Sequence, residues 1–373
     1  MRLTLRCLTA LAGPLLIIGL YQDTPAQRHT GSSPTDADPA TLRARYEKPA
    51  THWPPAWLDP GVPLRELAIL PARARPTPYR QAQAALGERL FSDTVLAAPG
   101  YPSCAACHQP AQGWSAPPRR FEAPLGSTAG RKPPSLYHVA RRTHWGWDGR
   151  RDSLVAQTLA PLTDPDEMGN TDLAVVLQRL ARDPRHAQDF QSLYGPGPVT
   201  AAMLGDALVA YLAGIEKPSR LDRFLAGDHA QLSDQAILGL HLFRTKARCL
   251  NCHSGPLLTD EGFHNLRISA FGEPAEDLGR YRVSGQPEDA GAFRTASLRH
   301  VGEHPPYMHN GLFPTLAGVI NLYDRGGGEV WARNAQEAAH PLYPHAARRS
   351  ARLQPLHLDE AEKAALLAFL EAL

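Results

Sequence analysis

One five-residue pattern occurs twice, as Cys104-Ala-Ala-Cys107-His108 and as Cys249-Leu-Asn-Cys252-His253. Two thiols three positions apart, with an imidazole directly after the second, are the attachment signature of a c-type haem. The thiols bond the porphyrin edge and the histidine ligates the iron. A group that large, fixed at two points, organises the chain around it more strongly than local propensity does. Apart from Cys7, near the N-terminus, these four are the only cysteines, so none is left for a disulfide. The competing arrangement, one structural zinc held by four thiolates, gives no role to the histidine that follows each second cysteine.

Composition fits a chain organised from within. Proline reaches 35 residues of 373, roughly 9% where about 5% is usual, so much of the chain is loop. With 43% hydrophobic residues the chain is globular, and its length suits two domains. Lysine and arginine number 39 against 37 acidic residues. This balance argues against a nucleic-acid partner, which calls for a basic face.

At the N-terminus Arg2 and Arg6 precede an apolar run over 8–20. The run is shorter than the roughly 20 residues that span a membrane and suits the hydrophobic region of a signal peptide. Residues 1–26 therefore read as an export signal. The weak cleavage site around Ala26 leaves an uncleaved membrane anchor as the alternative, and 27–60 reads as a polar tether.

The haem motif repeats with its surroundings. "LGERLF" precedes the first copy and "LGLHLF" the second, each a helix-like stretch, so the chain reads as a diverged tandem duplication. Helical periodicity recurs over 171–182, 200–216, 233–245 and 358–373, with Asn170, Ser233 and Asp359 as N-caps. No run alternates as a strand should. Pro218 and the turn at 226–228 place a boundary near 218–230, giving domains 61–222 and 223–373. The expected fold is mainly α: two cytochrome c-like helical haem domains with long loops.

Between residues 60 and 373 the chain resembles the bacterial dihaem cytochrome c peroxidase superfamily, including its methylamine-utilisation (MauG-type) branch. The resemblance rests on "LGERLFSD", "CAACHQPAQGWS", "RKPPSLYHVA", "WGWDGRRDSLVAQTLAPLTDPDEMG", "CLNCHSGPLLTDEGFHN", "FRTASLRHV" and "PPYMHNGLFPTLAGVINLYDRGGG", in the family's order. It implies two covalent c-type haems in a periplasmic protein. The first is the peroxidatic haem, with His108 as proximal ligand, and the second is the electron-transfer haem, with His253.

The resemblance also implies roles for other side chains. The family's acid–base glutamate falls on Glu167, a pocket glutamine on Gln157 and the inter-haem tryptophan on Trp147. Without the resemblance, Glu167 is an acidic residue favouring a helix N-terminus. Trp53, Trp57, Trp145 and Trp331 are read as core tryptophans with satisfied N–H groups, and Trp114 as packing. Between His108 and Arg131 no histidine occurs, so the histidine that caps the first iron in gated relatives is missing. Tyr323 stands where those relatives have a methionine, as in the MauG-type branch, and becomes the sixth ligand of the second haem. His309 is matched without a clear role, while His138, His144, His264, His300 and His304 are expected to be hydrogen-bonded or exposed. The family's interdomain calcium is doubtful here, because its asparagine position is Lys132 and its carbonyl positions fall on His304 and Pro306.

Three functions follow. The first is a peroxidase reducing hydrogen peroxide with electrons from a small cytochrome or cupredoxin. The second is a MauG-type oxidase using high-valent iron on a partner protein or organic substrate. The third, a non-enzymatic carrier, needs a sixth ligand at the first haem.

Overall fold

Two helix crossings organise the chain, and at each a glycine lets the pair approach. A computed structural model describes residues 39–116 and 130–373; the expected signal peptide and the start of the expected tether lie outside the described residues. The chain begins with α1 (Pro39–Tyr46), α2 (Pro78–Ser92) and α3 (Cys104–Cys107). It continues with α4 (Leu154–Leu159), α5 (Leu173–Arg182), α6 (Pro184–Tyr194) and α7 (Ala201–Leu212). In the C-terminal half come α8 (Arg220–Leu225), α9 (Asp234–Arg244), α10 (Tyr281–Ser284) and α11 (Leu316–Asp324). Helices α12 (Ala335–Ala338), α13 (Tyr343–Ala346) and α14 (Glu360–Leu370) complete it. The strands β1 (Phe263–Asn265) and β2 (Ala292–Arg294) pair antiparallel over three residues each.

In the first half α2 crosses α7, and a Cβ on Gly87 would stand 2.0 Å from the carbonyl oxygen of Ala207. In the second α9 crosses α14, and a Cβ on Gly239 would stand 2.0 Å from the carbonyl oxygen of Ala365. These are the glycines of the two "LG" stretches, so the duplicated sequence has one mechanical job: backbone contact between a pre-motif helix and the last helix of its half. Leu86, Leu90, Leu162, Leu180 and Leu204 close the first core, and Leu240, Phe243, Leu366 and Phe369 the second.

The helix starts follow side-chain capping, worth about 1 kcal/mol each. Ser233 accepts from the Ala236 N–H, and Asp359 forms a reciprocal capping box with Glu362. Asn170 is a correction: α5 is capped by Asp172, while the Asn170 amide donates to the carbonyls of Leu96 and Leu162 and pins the preceding loop. A second correction concerns the expected tether. Residues 39–60 pack on the second core, with Tyr46 1% and Trp53 7% exposed. Arg244 on α9 holds them, donating to the Tyr46 hydroxyl at 3.0 Å and the Pro54 carbonyl at 2.7 Å.

The duplication extends well beyond the pre-motif helices. Ser135, His138, Trp145, Trp147 and Ser153 recur as Ser297, His300, Tyr307, His309 and Thr315, each pair 162 positions apart. The copies share geometry. His138 and His300 are both left-handed, at φ 55° and 56°. Trp145 bridges Arg151 as Tyr307 bridges Phe313, and Ser153 and Thr315 cap α4 and α11. The halves also grip each other reciprocally. The Arg294 N–H donates to the Trp147 carbonyl at 2.8 Å and the Lys132 N–H to the His309 carbonyl at 2.7 Å, residues paired by the same 162-position spacing.

Candidate active site

Each haem motif forms one tight turn, in which the backbone N–H of the histidine donates to the carbonyl of the first cysteine: His108 to Cys104 at 2.9 Å, His253 to Cys249 at 2.8 Å. The imidazoles are then aimed by a carbonyl. His108 Nδ1 lies 3.0 Å from the Trp114 carbonyl oxygen and His253 Nδ1 3.1 Å from that of Leu258. A carbonyl only accepts, so Nδ1 carries the proton in both and Nε2 keeps its lone pair for a metal. Both carbonyls are presented by left-handed residues, Trp114 at φ 61° and Leu258 at φ 55°. A serine fixes each loop: Ser135 Oγ donates to the Gly113 carbonyl and Ser297 Oγ to the Leu257 carbonyl, at 2.7 and 2.6 Å.

Electrostatics keeps both sites neutral. Burial lowers His108 to about 4 and lowers His253 as well, so both imidazoles are neutral and keep only the Nδ1 proton. Burial pushes the Cys104 and Cys249 thiols up to about 12. The cysteine pairs stand in different halves, which removes the single four-thiolate zinc.

The distal sides differ. In the first half α4 gives way to a 3-10 turn containing Pro161, which cannot continue the helix ladder. The chain loops back, and the Met168 N–H donates to the Pro161 carbonyl. Met168 Sδ lies 4.0 Å from Cys104 Sγ, and Glu167 beside it is exposed. The Glu167 carboxyl is nonetheless raised to about 7 by surrounding protein, with Asp164 and Asp166 adding to the shift and Arg150 opposing it. Its charge reaches the Cys104 thiol. Gln157 on α4 places its side-chain oxygen 3.8 Å from where a Cβ would stand on Gly146.

In the second half α11 runs on to Asp324, and its last turn carries Tyr323. Burial and the nearby Cys252 and Cys249 raise the Tyr323 phenol far above its ordinary value. One cavity is lined by Cys249, Cys252, His253 and Tyr323 and continues to Trp147, Met308 and His309. The Trp147 indole N–H donates to the Lys132 carbonyl at 2.7 Å. His309 is held by protein, its ring stacked on Phe293 at 3.7 Å between centroids. The motifs therefore bring Tyr323 to the second site, Glu167 to the first, and Trp147 to the wall between the halves.

Several surroundings depart from expectation. His138 is 3% exposed and neither of its ring nitrogens is hydrogen-bonded; it packs on His300, and burial lowers it to about 4, so it is a neutral core ring. His304 Nε2 also lacks a partner. His264, by contrast, is hydrogen-bonded as expected, and Asp260 at 3.0 Å raises it to about 9. Trp331 is 65% exposed and no core residue, whereas the Trp53 and Trp145 N–H groups are satisfied. Trp114 does more than pack, since its carbonyl aims His108. The repeated Ser-Leu-x-His-Val at 135–139 and 297–301 is the sequence signal that marks the serines of the ligand loops.

The residues fit haem: paired thiols, a free Nε2 beside each pair, and buried donors without partners, among them Arg142 Nε and His304 Nε2. They do not fit calcium. The His304 carbonyl already accepts from Lys132 Nζ at 2.7 Å, and an ammonium in that position repels a divalent cation.

Residues 81–230 match the family model described as di-haem cytochrome c peroxidase. The methylamine utilization protein MauG of Methylorubrum extorquens is 34% identical, over 83% of this chain and 85% of that protein. The cytochrome-c peroxidase IdrP1 of Denitromonas iodatirespirans is 31% identical, over 83% and 86%. Among solved structures, a MauG-like protein associated with microbial copper homeostasis superposes with TM-score 0.67 at 28% identity, covering 85% of this chain and 95% of that one. The diheme peroxidase BthA of Burkholderia thailandensis superposes with TM-score 0.65 at 26% identity, covering 86% and 95%.

Proposed function

Since the chain belongs to the di-haem cytochrome c peroxidase family, and is a peroxidase-type oxidoreductase holding two haems, we propose how its residues divide the work of reducing hydrogen peroxide to water. Each haem is attached by thioethers, at Cys104 and Cys107 in a peroxidatic half over 61–222 and at Cys249 and Cys252 in an electron-transfer half over 223–373. His108 and His253 are the proximal ligands. When bound at His108, the haem supplies the redox chemistry that breaks the O–O bond. Reducing peroxide to two waters consumes two electrons and two protons, and a small soluble redox protein supplies the electrons.

Glu167 handles the proton. Its ionised carboxylate takes the proton from one peroxide oxygen and returns it to the other, so that oxygen leaves as water. The observation carrying this reading is the Glu167 carboxyl beside Cys104, raised to about 7, near the pH at which one group can serve as base and then as acid. Gln157 orients the bound peroxide from α4. Trp147, held by its N–H to the Lys132 carbonyl, gives electrons an oxidisable stop between the halves. Tyr323 ligates the second haem. Export to the periplasm is part of the reading, through the segment 1–26 as signal or anchor; among the described residues no helix is long and apolar enough to cross a membrane.

Tyr323 favours a second reading, in which the two haems together oxidise a partner protein or organic substrate. A hard phenol oxygen stabilises higher iron oxidation states. The test is a ferric absorption spectrum before and after one equivalent of peroxide, without pre-reduction. Immediate loss of the high-spin band with rapid consumption of a reduced donor supports the peroxidase. Persistence of the oxidised spectrum despite the donor supports the MauG-type oxidase. No change until one haem is reduced overturns the reading that the first iron has no capping histidine.

A further inference from the structure

The wall of the cavity behind Cys249 and Cys252 carries many cations, and most have a carboxylate. Arg248 pairs with Asp59, Arg294 with Glu261, Arg299 with Asp222, and Arg352 and His264 with Asp260. Lys132 and Arg142 are the exceptions: among the described residues neither forms an ion pair, although both line the same cavity. Lys132 is 3% exposed and its ammonium donates only to the His304 carbonyl at 2.7 Å, with His304 Nδ1 3.5 Å away. Arg142 donates from Nη2 to the carbonyls of Ser135 and Tyr137 at 2.9 and 3.1 Å, and its Nε is buried with no partner.

The duplication shows why the charges are unmatched. Lys132 and Arg142 correspond to Arg294 and His304 at the 162-position spacing. Arg294 has the carboxylate of Glu261, nine positions after its half's second cysteine; nine positions after Cys107 stands Ala116. A buried cation without an ion-pair partner costs several kcal/mol; Lys132 has no carboxylate beside it, and the half-buried Arg142 feels only the Glu261 carboxylate, which is paired with Arg294. Burial accordingly drives Lys132 down to about 7 and Arg142 to about 9.

We propose that Lys132 and Arg142 bind the propionate carboxylates of the haem held at Cys249 and Cys252, with His304 Nε2 as a third donor, so that an internal ammonium and guanidinium join the two halves through the cofactor. The proposal rests on the dihaem reading above. It assigns a cofactor-binding role to residues outside both attachment motifs.

The test uses the holoprotein and the variants Lys132→Gln, Arg142→Gln and Arg142→Lys. Haem content is measured first by the pyridine haemochrome spectrum, then the midpoint potential of each haem, then the propionate bending bands in resonance Raman. Expected are two haems in every variant, a lower potential for the second haem and a shifted propionate band in Lys132→Gln and Arg142→Gln, and recovery toward the parent values in Arg142→Lys. Unchanged bands and potentials in both glutamine variants overturn the proposal while the dihaem reading stands. Should acetate added to the parent protein shift the second haem's potential, with no propionate band moving in the variants, the cations serve a free anion and the proposal fails. Loss of the second haem already in the parent protein would sink the dihaem reading and this proposal together. If a glutamine variant does not mature, Arg142→Lys alone decides: with the charge kept, its potential and bands stay near the parent if propionate is bound and depart from it if the arginine is only structural.

Discussion

With the histidines ligating as proposed, the two halves use the same parts below the iron and different parts above it. Below, both have a CxxCH turn, a histidine aimed by the carbonyl of a left-handed residue, and a serine holding that loop. Above, the first half breaks its helix at Pro161 and sends back a loop carrying Glu167, whereas the second continues α11 to Tyr323, at the 162-position counterpart of Pro161. One proline thus separates an end where a helix delivers a tyrosine from an end where a loop delivers a carboxylate. On the proposed ligation, the histidine side must keep one geometry because each imidazole has to reach its iron, whereas the opposite side is free to diverge.

The largest test of this asymmetry is Glu167→Gln, which removes the proposed proton carrier and keeps the shape. Peroxide turnover should fall by about 10²–10⁴. In the parent protein the carboxylate must be ionised to accept the proton, so kcat/KM for peroxide should rise with pH through about 7 and level off; the variant should lose that step. An unchanged rate and profile would remove Glu167 from the chemistry.

Next, Tyr323→Phe should convert the second haem's ferric low-spin spectrum toward high spin, making the two distal sides more alike. An unaltered spectrum would mean that the phenol is packing, in spite of its place beside Cys252.

The shared framework predicts matched losses of stability. Gly87→Ala and Gly239→Ala each push a methyl against a backbone carbonyl at 2.0 Å and should each cost about 1–3 kcal/mol, read as a lower thermal midpoint of the holoprotein. A marked difference between them would mean that the two helix crossings are not equivalent. The smallest matched pair is Ser135→Ala and Ser297→Ala. Each removes one hydrogen bond to a ligand loop and should cost about 1 kcal/mol, with a similar small shift in the two haem potentials.

Much of this was legible in the sequence, in proportion to how local the cause was. The CxxCH turns, the caps at Ser233 and Asp359, the duplicated "LG" helices and the scarcity of strand all depend on residues within a few positions of one another. Asn170 was misplaced as a cap because Asp172, two residues later, competes for the same role, and the buried carbonyls of Leu96 and Leu162 give the amide another use. The tether reading over 39–60 failed for a similar reason. Its polarity is genuine, but Tyr46 and Trp53 find an apolar surface and an arginine almost 200 residues away in sequence. Trp331 is the reverse case, an aromatic residue that no core claims.

By itself the sequence determined a helical, duplicated chain with two haem-attachment turns, because thioether attachment demands a fixed local spacing that a linear pattern displays. Only the tertiary structure decided which side chains meet beside those turns, that Lys132 meets the carbonyl of His304, and that the buried Lys132 and the half-buried Arg142 form no ion pair among the described residues. The reason is physical: an ion pair, or its absence, is a property of everything within about 4 Å of a charge, and at the junction those neighbours come from segments more than a hundred residues apart.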